Sequence, residues 1–571
     1  MFPINRSYLS LFVFSASVLF AQLYTGHVHP YRSFYHEFAV CLGVFVAMIP
    51  LWGVGQGRFV LPANSLLVFA LIAYVGLQMF MGLSSYAALA YPLFILFSLI
   101  CAMCLGATWV TLAGNMRSLC WALSLVFLGA TLLSVAMQQV QIMGLDWRPF
   151  VMYIRNDGVS PIRAFANVAQ PNQLALLICF GFASLWWLLQ VSRMPGLLAW
   201  LLACFMLWGL VLTQSRIAWI ILPLFAGLSI LLRQHSRKAS WLGVASLLLI
   251  YVLLLLSLPI LAKWMGFVVG TLGERVGGRS ERTVLLQHAW AMATTHPWFG
   301  VGWFGFGAQQ VAIAADFSST TYAEHAHNIV LNFAAELGFP FTLAFFSACI
   351  IWCWKTCCNK LALQNNTVVF VLMILMAVGV HSLVEFPLWY AYVLLPVGVL
   401  MGAVHQFRWQ NAGVYISRRV VVLIVPICLG LLTWGWIDYH RVVDGFIAFR
   451  QVKDYADIPA QKITAPAVSF MPDYYDYFKL LRVTPHSGMS DVEIQFVEKA
   501  SHRFGYVHIL DKLAQVYCLN GRTDAAQRTM RTLHRLHPLV YTEYYDYWND
   551  LAKTNQCYAD VFAKMPPRDA Q

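Results

Sequence analysis

Charge is what this chain has least of. Asp, Glu, Lys and Arg make up 11% of its 571 residues, against 60% hydrophobic residues. A water-soluble chain of this size cannot cover its surface with so few charges, so the composition predicts a polytopic membrane protein. Acidic residues are scarcest, 25 against 37 Lys and Arg, which leaves a formal charge of +12. The excess lies in short loops between apolar runs. That is the pattern that orients membrane segments, and nucleic acid is set aside as a partner. Several motifs are missing as well. No GK[ST] follows a glycine loop, no HExxH occurs, and the Cys101/Cys104 pair lies in an apolar run without a second pair. Nucleotide P-loops, zincins and structural zinc sites are therefore not expected. Apart from Cys518 and Cys557, the cysteines sit in apolar segments or in the Lys355–Lys360 connector and read as small buried hydrophobes. Those two are free to pair if the tail that carries them lies in an oxidising compartment.

The apolar runs are what is abundant. The first, about Tyr8 to Tyr24 after Arg6, resembles a signal peptide, but no small-residue cleavage site follows and it is read as a retained helix. Further runs fall near 37–54, 63–81, 87–107, 119–140, 172–190, 196–213 and 217–232. The remainder lie near 241–261, 328–353, 367–386, 388–405 and 420–437. The total is about thirteen spans in an all-α fold. With the N-terminus inside, the inner connections carry Arg58, Arg117, Arg193, Arg233, Arg237, Lys238, Lys355, Lys360, Arg408, Arg418 and Arg419. Short outer connections carry little beyond Arg32 and Arg216, so basic residues accumulate inside and the C-terminus emerges outside. Residues 1–438 then form a multi-span domain whose outer loops are about 141–171 and 262–327, and 439–571 form an outer helical region. Segments Val492–Phe504, Tyr506–Leu519, Ala525–His537 and Tyr541–Leu551 predict short amphipathic helices. They suit either a tetratricopeptide-like hairpin scaffold or an irregular helical cap.

Polar residues capable of chemistry gather on the outer side. Tyr322-Ala-Glu-His-Ala-His-Asn328 ends a long loop and opens an apolar segment, in which Asn328, Asn332 and Glu336 recur every fourth residue on one predicted helical face. His325 and His327, two apart, do not share a helix face and have no accompanying metal ligands; histidine suits acid or base work near neutral pH. Arg275, Arg279 and Arg282 precede them, and guanidinium forks engage phosphate oxygens bidentately. Arg216 follows Thr213-Gln-Ser215 between two apolar runs, where it must snorkel, pair or bind an anion. Arg163 leads through Gln170-Pro-Asn172 into a helix, and His381 and Glu385 are spaced to share a face. Glu385 is expected to orient a neighbour. The glycines of His296-Pro-Trp-Phe-Gly-Val-Gly-Trp303 are read as a re-entrant or interfacial turn, with Trp298 and Trp303 as headgroup-level anchors.

In order, Arg163…Gln170-Pro-Asn172, Thr213-Gln-Ser-Arg216, Ser280-Glu-Arg282, the His296–Trp303 turn, His325-Ala-His-Asn328…Glu336-Leu-Gly338 and His381-Ser-Leu-Val-Glu-Phe-Pro387 resemble the Wzy_C/O-antigen ligase superfamily. The likeness covers about residues 160–400 and is strongest to the PglL-type O-linked protein oligosaccharyltransferases. It implies an inner-membrane transferase that works at the periplasmic face on an undecaprenyl-diphosphate-linked glycan. The implied acceptor is a periplasmic or pilin-type protein, with no cofactor or metal. The family's essential histidine falls on His327, with His325 as the alternative. Its arginines fall on Arg216 and Arg282, with Arg279 as a possible shift of register. Arg163, Asn172, Asn328, Glu336, His381 and Glu385 are then expected to line the substrate site. The implied chemistry is inverting displacement, with a histidine base and arginines stabilising the pyrophosphate. An O-antigen ligase or polymerase would share the donor and use a lipid or sugar acceptor. A flippase would place paired charges at mid-membrane.

Overall fold

A computed structural model describes residues 6–54, 58–113, 116–232, 240–270, 281–452 and 455–568. Among them, eleven helices are long and apolar enough to cross a membrane, and two shorter apolar helices, Ala218–Leu231 and Asn366–Ser382, fall at further predicted spans. The protein is an all-α, multi-pass membrane protein. Among the described residues the sheet is one two-stranded ribbon, Arg58–Pro62 antiparallel to Gly413–Ser417, with Arg58 opposite Ser417.

One predicted span is cut. The run 328–353 is two helices, Ile329–Leu337 and Phe339–Cys353, separated at Gly338, whose φ of +80° a side chain would strain. Pro340 follows in the first turn of the second helix, where a missing N–H costs nothing. The polar face through Asn328, Asn332 and Glu336 therefore belongs to a nine-residue helix ahead of the membrane segment.

The chain divides into two compact units. The first comprises Met1–Ala70, Phe94–Gly278 and Ser347–Trp436 and holds most of the membrane helices. In it, Pro171–Val191 packs against Met116–Ile142 and against Asn366–Ser382. The second comprises Leu71–Leu93, Arg279–Phe346 and Ile437–Gln571. Its tail consists of successive helices, Pro472–Arg482, Asp491–Arg503, Val507–Leu519, Thr523–Leu536, Tyr541–Leu551 and Gln556–Phe562. Neighbouring helices pack pairwise, and a capping box of Ser490 and Glu493 starts the second of them. Lys512 donates to the carbonyls of Leu480, Leu481 and Val483 at 2.7–3.1 Å and so closes the C-terminal end of the first. Cys518 and Cys557 are joined as a disulfide.

Candidate active site

Each unit assembles its own set of the residues singled out from the sequence. In the first unit the organising feature is the loop before Pro171. Ala166 and Ala169 have positive φ (52° and 61°), and so tight a path leaves backbone groups inside the protein that need partners. Buried amide side chains supply them. Gln141 Oε1 accepts from the Phe165 and Ala166 N–H groups at 3.1 and 2.8 Å, and its Nε2 donates to the Met152 and Ala166 carbonyls. Gln138 donates to Ala164 O, and Asn167 donates to Leu23 O and Phe150 O. Gln170 caps the next helix by accepting from Gln173 N–H at 2.7 Å.

This scaffold places Arg163 and Asn172. Arg163 donates through Nε to Thr213 O and through its terminal nitrogen to Asn172 Oδ1, both at 3.1 Å. Asn172 Nδ2 in turn donates to Glu385 Oε1 at 2.7 Å. The turn carrying Arg216 joins the same assembly. Gln214 is left-handed, with φ 54°, and its Nε2 donates to Ile162 O at 2.6 Å. Arg216 itself is exposed between buried Ser215 and Ile217. Glu385 and His381 are buried just beyond and at the end of helix Asn366–Ser382, joined by a backbone bond of 2.9 Å from Glu385 N–H to His381 O. Three motifs far apart in sequence thus meet in one unit.

The second unit builds the histidine loop. His327 has φ +53°, a conformation that non-glycine residues adopt uncommonly. On one side Ala326 is fully buried among Leu285, Ala289, Met292, Phe306 and Ala335. Its N–H donates to Asn332 Oδ1 at 2.9 Å. On the other side Asn328 caps helix Ile329–Leu337 by accepting from Leu331 N–H at 3.0 Å. The two imidazoles are left on the loop, with ring centroids 5.8 Å apart. Earlier in the loop, Gln310 accepts from Ala323 N–H at 2.8 Å and donates to Thr321 O. Glu336 is buried and accepts from Phe306 N–H at 3.2 Å, and burial pushes its carboxyl up to about 8, so it is largely protonated at neutral pH.

The glycine-rich turn ends the same helix. Val301 and Gly302 N–H groups donate to Ala335 O and Glu336 O, and Phe339 N–H donates to Pro297 O. A Cβ on Gly300 would run into the Glu336–Leu337 backbone, so the approach requires glycine there. Gln78 bridges turn and helix, donating to Phe299 O and Glu336 O at 2.7 and 2.8 Å and accepting from Trp303 N–H. Trp298 is exposed, as an interfacial anchor requires, but Trp303 is 7% exposed, with its backbone N–H held by Gln78, so its indole is packed inside the protein and cannot face lipid headgroups.

Arg282 lies, half-buried, in the first turn of helix Glu281–Thr295; Arg275 and Arg279 lie outside the described residues. Among the described residues no group of three His, Cys, Asp or Glu is arranged to hold a metal ion. The sequence reading did not single out Gln78, Gln141, Gln310 or Arg503. Their partners are distant in sequence, and a glutamine in an apolar run is the local signal that Gln78, Gln141 and Gln310 offer.

One unit carries an arginine–asparagine–glutamate chain and the other a histidine loop, in a chain whose apolar helices mark it as a multi-pass membrane protein. Residues 201–346 match the O-Antigen ligase family, and residues 369–556 match the family described as virulence factor membrane-bound polymerase, C-terminal. The chain is 27% identical over 402 residues to a general O-oligosaccharyltransferase of Acinetobacter baylyi, covering 66% of this chain and 67% of that protein. It is 25% identical over 282 residues to a ComP-specific O-oligosaccharyltransferase of the same organism, covering 48% of this chain and half of that one. Over these two segments the chain is similar to the O-Antigen ligase and membrane-bound polymerase families.

Proposed function

We propose that the protein transfers a preassembled oligosaccharide from undecaprenyl diphosphate to serine or threonine hydroxyls of exported proteins, pilins among them, at the periplasmic face of the inner membrane. The observation that carries this reading is His327, a left-handed non-glycine residue between a buried alanine and a capping asparagine, inside the segment matched by the O-antigen ligase family. The names of the two relatives support protein as acceptor.

In the proposed reaction His327 accepts the proton of the acceptor hydroxyl as its oxygen attacks the anomeric carbon. The new C–O bond forms as the bond to the diphosphate breaks, with inversion, and undecaprenyl diphosphate leaves. Arg216 and Arg282 stabilise the charge growing on the leaving diphosphate. Arg163, held by Asn172, adds a further cation on the first unit. Asn172, Glu385 and His381 keep that guanidinium oriented, while Asn328 and Glu336 hold the histidine helix and His325 shapes the acceptor's approach. No metal takes part in this scheme.

Purified protein in detergent, given lipid-linked oligosaccharide, a pilin acceptor and EDTA, should yield glycosylated pilin by intact-protein mass, and folded His327→Ala should not. The competing reading is favoured by the polymerase description of residues 369–556: the same donor with a sugar or lipid A-core acceptor. Bare pilin beside modified lipid A-core, or an elongated glycan, would establish it and sink the protein-acceptor proposal.

A further inference from the structure

The histidine loop is fastened to the tail of its own unit. Tyr322 donates its hydroxyl to Arg503 O at 2.9 Å, closing the C-terminal end of helix Asp491–Arg503. Thr320 N–H donates to Arg535 O at 2.8 Å, doing the same for helix Thr523–Leu536. Arg528 pairs with Asp316 at 2.5 Å, at the foot of the loop. Nearest the histidines, Arg503 reaches from the tail to Glu324 Oε1 at 2.9 Å while its Nε binds Asp473 at 2.8 Å. Glu324 is the neighbour of His325 in the chain.

Arg503 is a different kind of contact from the surface pairs around it. The side chains of Arg503 and Asp473 are 29% and 17% exposed and that of Glu324 is 49%, so the Asp473 side of the bridge is shielded from water while the Glu324 side opens to it. Such a pair is screened less than a rim pair, and removing the cation leaves two carboxylates facing each other. Gly505, just past the helix, packs so closely on the Tyr322 ring that a Cβ there would overlap it. Loop and tail therefore fit as one surface, and Arg503 is the tail residue that reaches the Glu324 carboxylate.

We propose that Arg503 is a positioning residue for the histidine loop: bridging Glu324 and Asp473, it makes the C-terminal tail part of the transfer machinery and not an appendage. This rests on the reading of the histidine loop as the transfer site. The arginine touches no reacting atom; it sets where the imidazoles stand when the acceptor arrives.

The test compares wild type, Arg503→Met, Arg503→Lys and Glu324→Gln, each first shown to be folded and monodisperse in detergent. Two readouts are taken: the rate of glycan transfer at saturating and at limiting donor, and the rate at which diethyl pyrocarbonate modifies His325 and His327. A loop displaced by about 1 Å is expected to lower kcat for Arg503→Met about 100-fold. The KM for the lipid donor should stay as in wild type, and Arg503→Lys should recover part of kcat. Imidazole modification should accelerate in Arg503→Met and in Glu324→Gln. Folded Arg503→Met with wild-type kcat and wild-type modification rate would overturn the proposal. A wild type that leaves protein acceptors bare, yet shows the same acceleration on losing Arg503, would overturn the transfer reading and leave the positioning role standing.

Discussion

Asn172 and Glu385 lie 213 residues apart in sequence and are joined by a 2.7 Å hydrogen bond that faces, through Asn172 Oδ1, the guanidinium of Arg163. An amide between a carboxylate and a cation has one stable orientation, nitrogen to the acid and oxygen to the base, so the chain Glu385–Asn172–Arg163 polarises as a unit. Asn172→Asp would put a second carboxylate beside buried Glu385. Asn172→Ala would remove one donor from that carboxylate, a cost of about 1–3 kcal/mol. Thermal unfolding in detergent should show both variants destabilised, and Glu385→Gln together with Asn172→Asp should recover much of the loss. Additive losses in the double variant would count against the chain.

The arginines and histidines separate by kinetics. If Arg216 and Arg282 stabilise charge only as the leaving group departs, Arg→Ala at either should lower kcat on the order of 10²–10³-fold with little change in donor KM. His327→Ala should lose transfer altogether and His325→Ala only part of it. The reverse order would assign the proton transfer to His325.

Glu336 makes the second unit sensitive to pH. A carboxyl raised to about 8 by burial is neutral in the fold, whereas in the unfolded chain it ionises near its ordinary value of 4.5. Stability contributed by this site is fully present below that ordinary value and is lost as pH rises toward and through 8. Wild type should therefore lose thermal stability between pH 5 and 8 relative to Glu336→Gln, which keeps a carbonyl for Phe306 N–H and cannot ionise. Parallel pH profiles for the two proteins would refute this.

Gly338 separates the histidine helix from the membrane helix. Alanine there would occupy a positive-φ, extended-ψ backbone that is essentially glycine-only, at about 1–3 kcal/mol, and would also meet the carbonyl of Trp298. Gly338→Ala should lower expression and unfolding temperature more than Gly379→Ala, where a Cβ has open space.

The Cys518–Cys557 bond reports on sidedness. Closing 39 residues, it should contribute about 2–4 kcal/mol to the tail. In whole cells a thiol reagent should label neither cysteine until the bond is reduced, as expected of a tail on the oxidising side of the membrane. Labelling without reductant would place the tail in the cytoplasm and invert the proposed orientation.

How much was legible in advance follows from how local each feature is. The tail helices were readable from their amphipathic repeats, and Ser490 with Glu493 even marks where one begins. Gly-Phe-Pro340 signals the cut at Gly338, but the apolar run on either side reads as one span. Trp303 was placed at the surface by residue type, and Gln78, 225 residues away, draws its backbone inward.

The sequence alone determined the membrane class, because spanning hydrocarbon is a property of consecutive residues that adds along a run. It also determined the order of the polar motifs, and with it the resemblance to the O-antigen ligase family. Only the tertiary structure decided which of those motifs meet. Arg163 finds Asn172 and Glu385 because buried amides bend one loop through left-handed residues, and the histidine loop finds Arg503 because tail helices present their unpaired carbonyls to it. Such meetings depend on hydrogen-bonding groups that must be satisfied wherever burial takes them, and no local pattern in the chain encodes the partner.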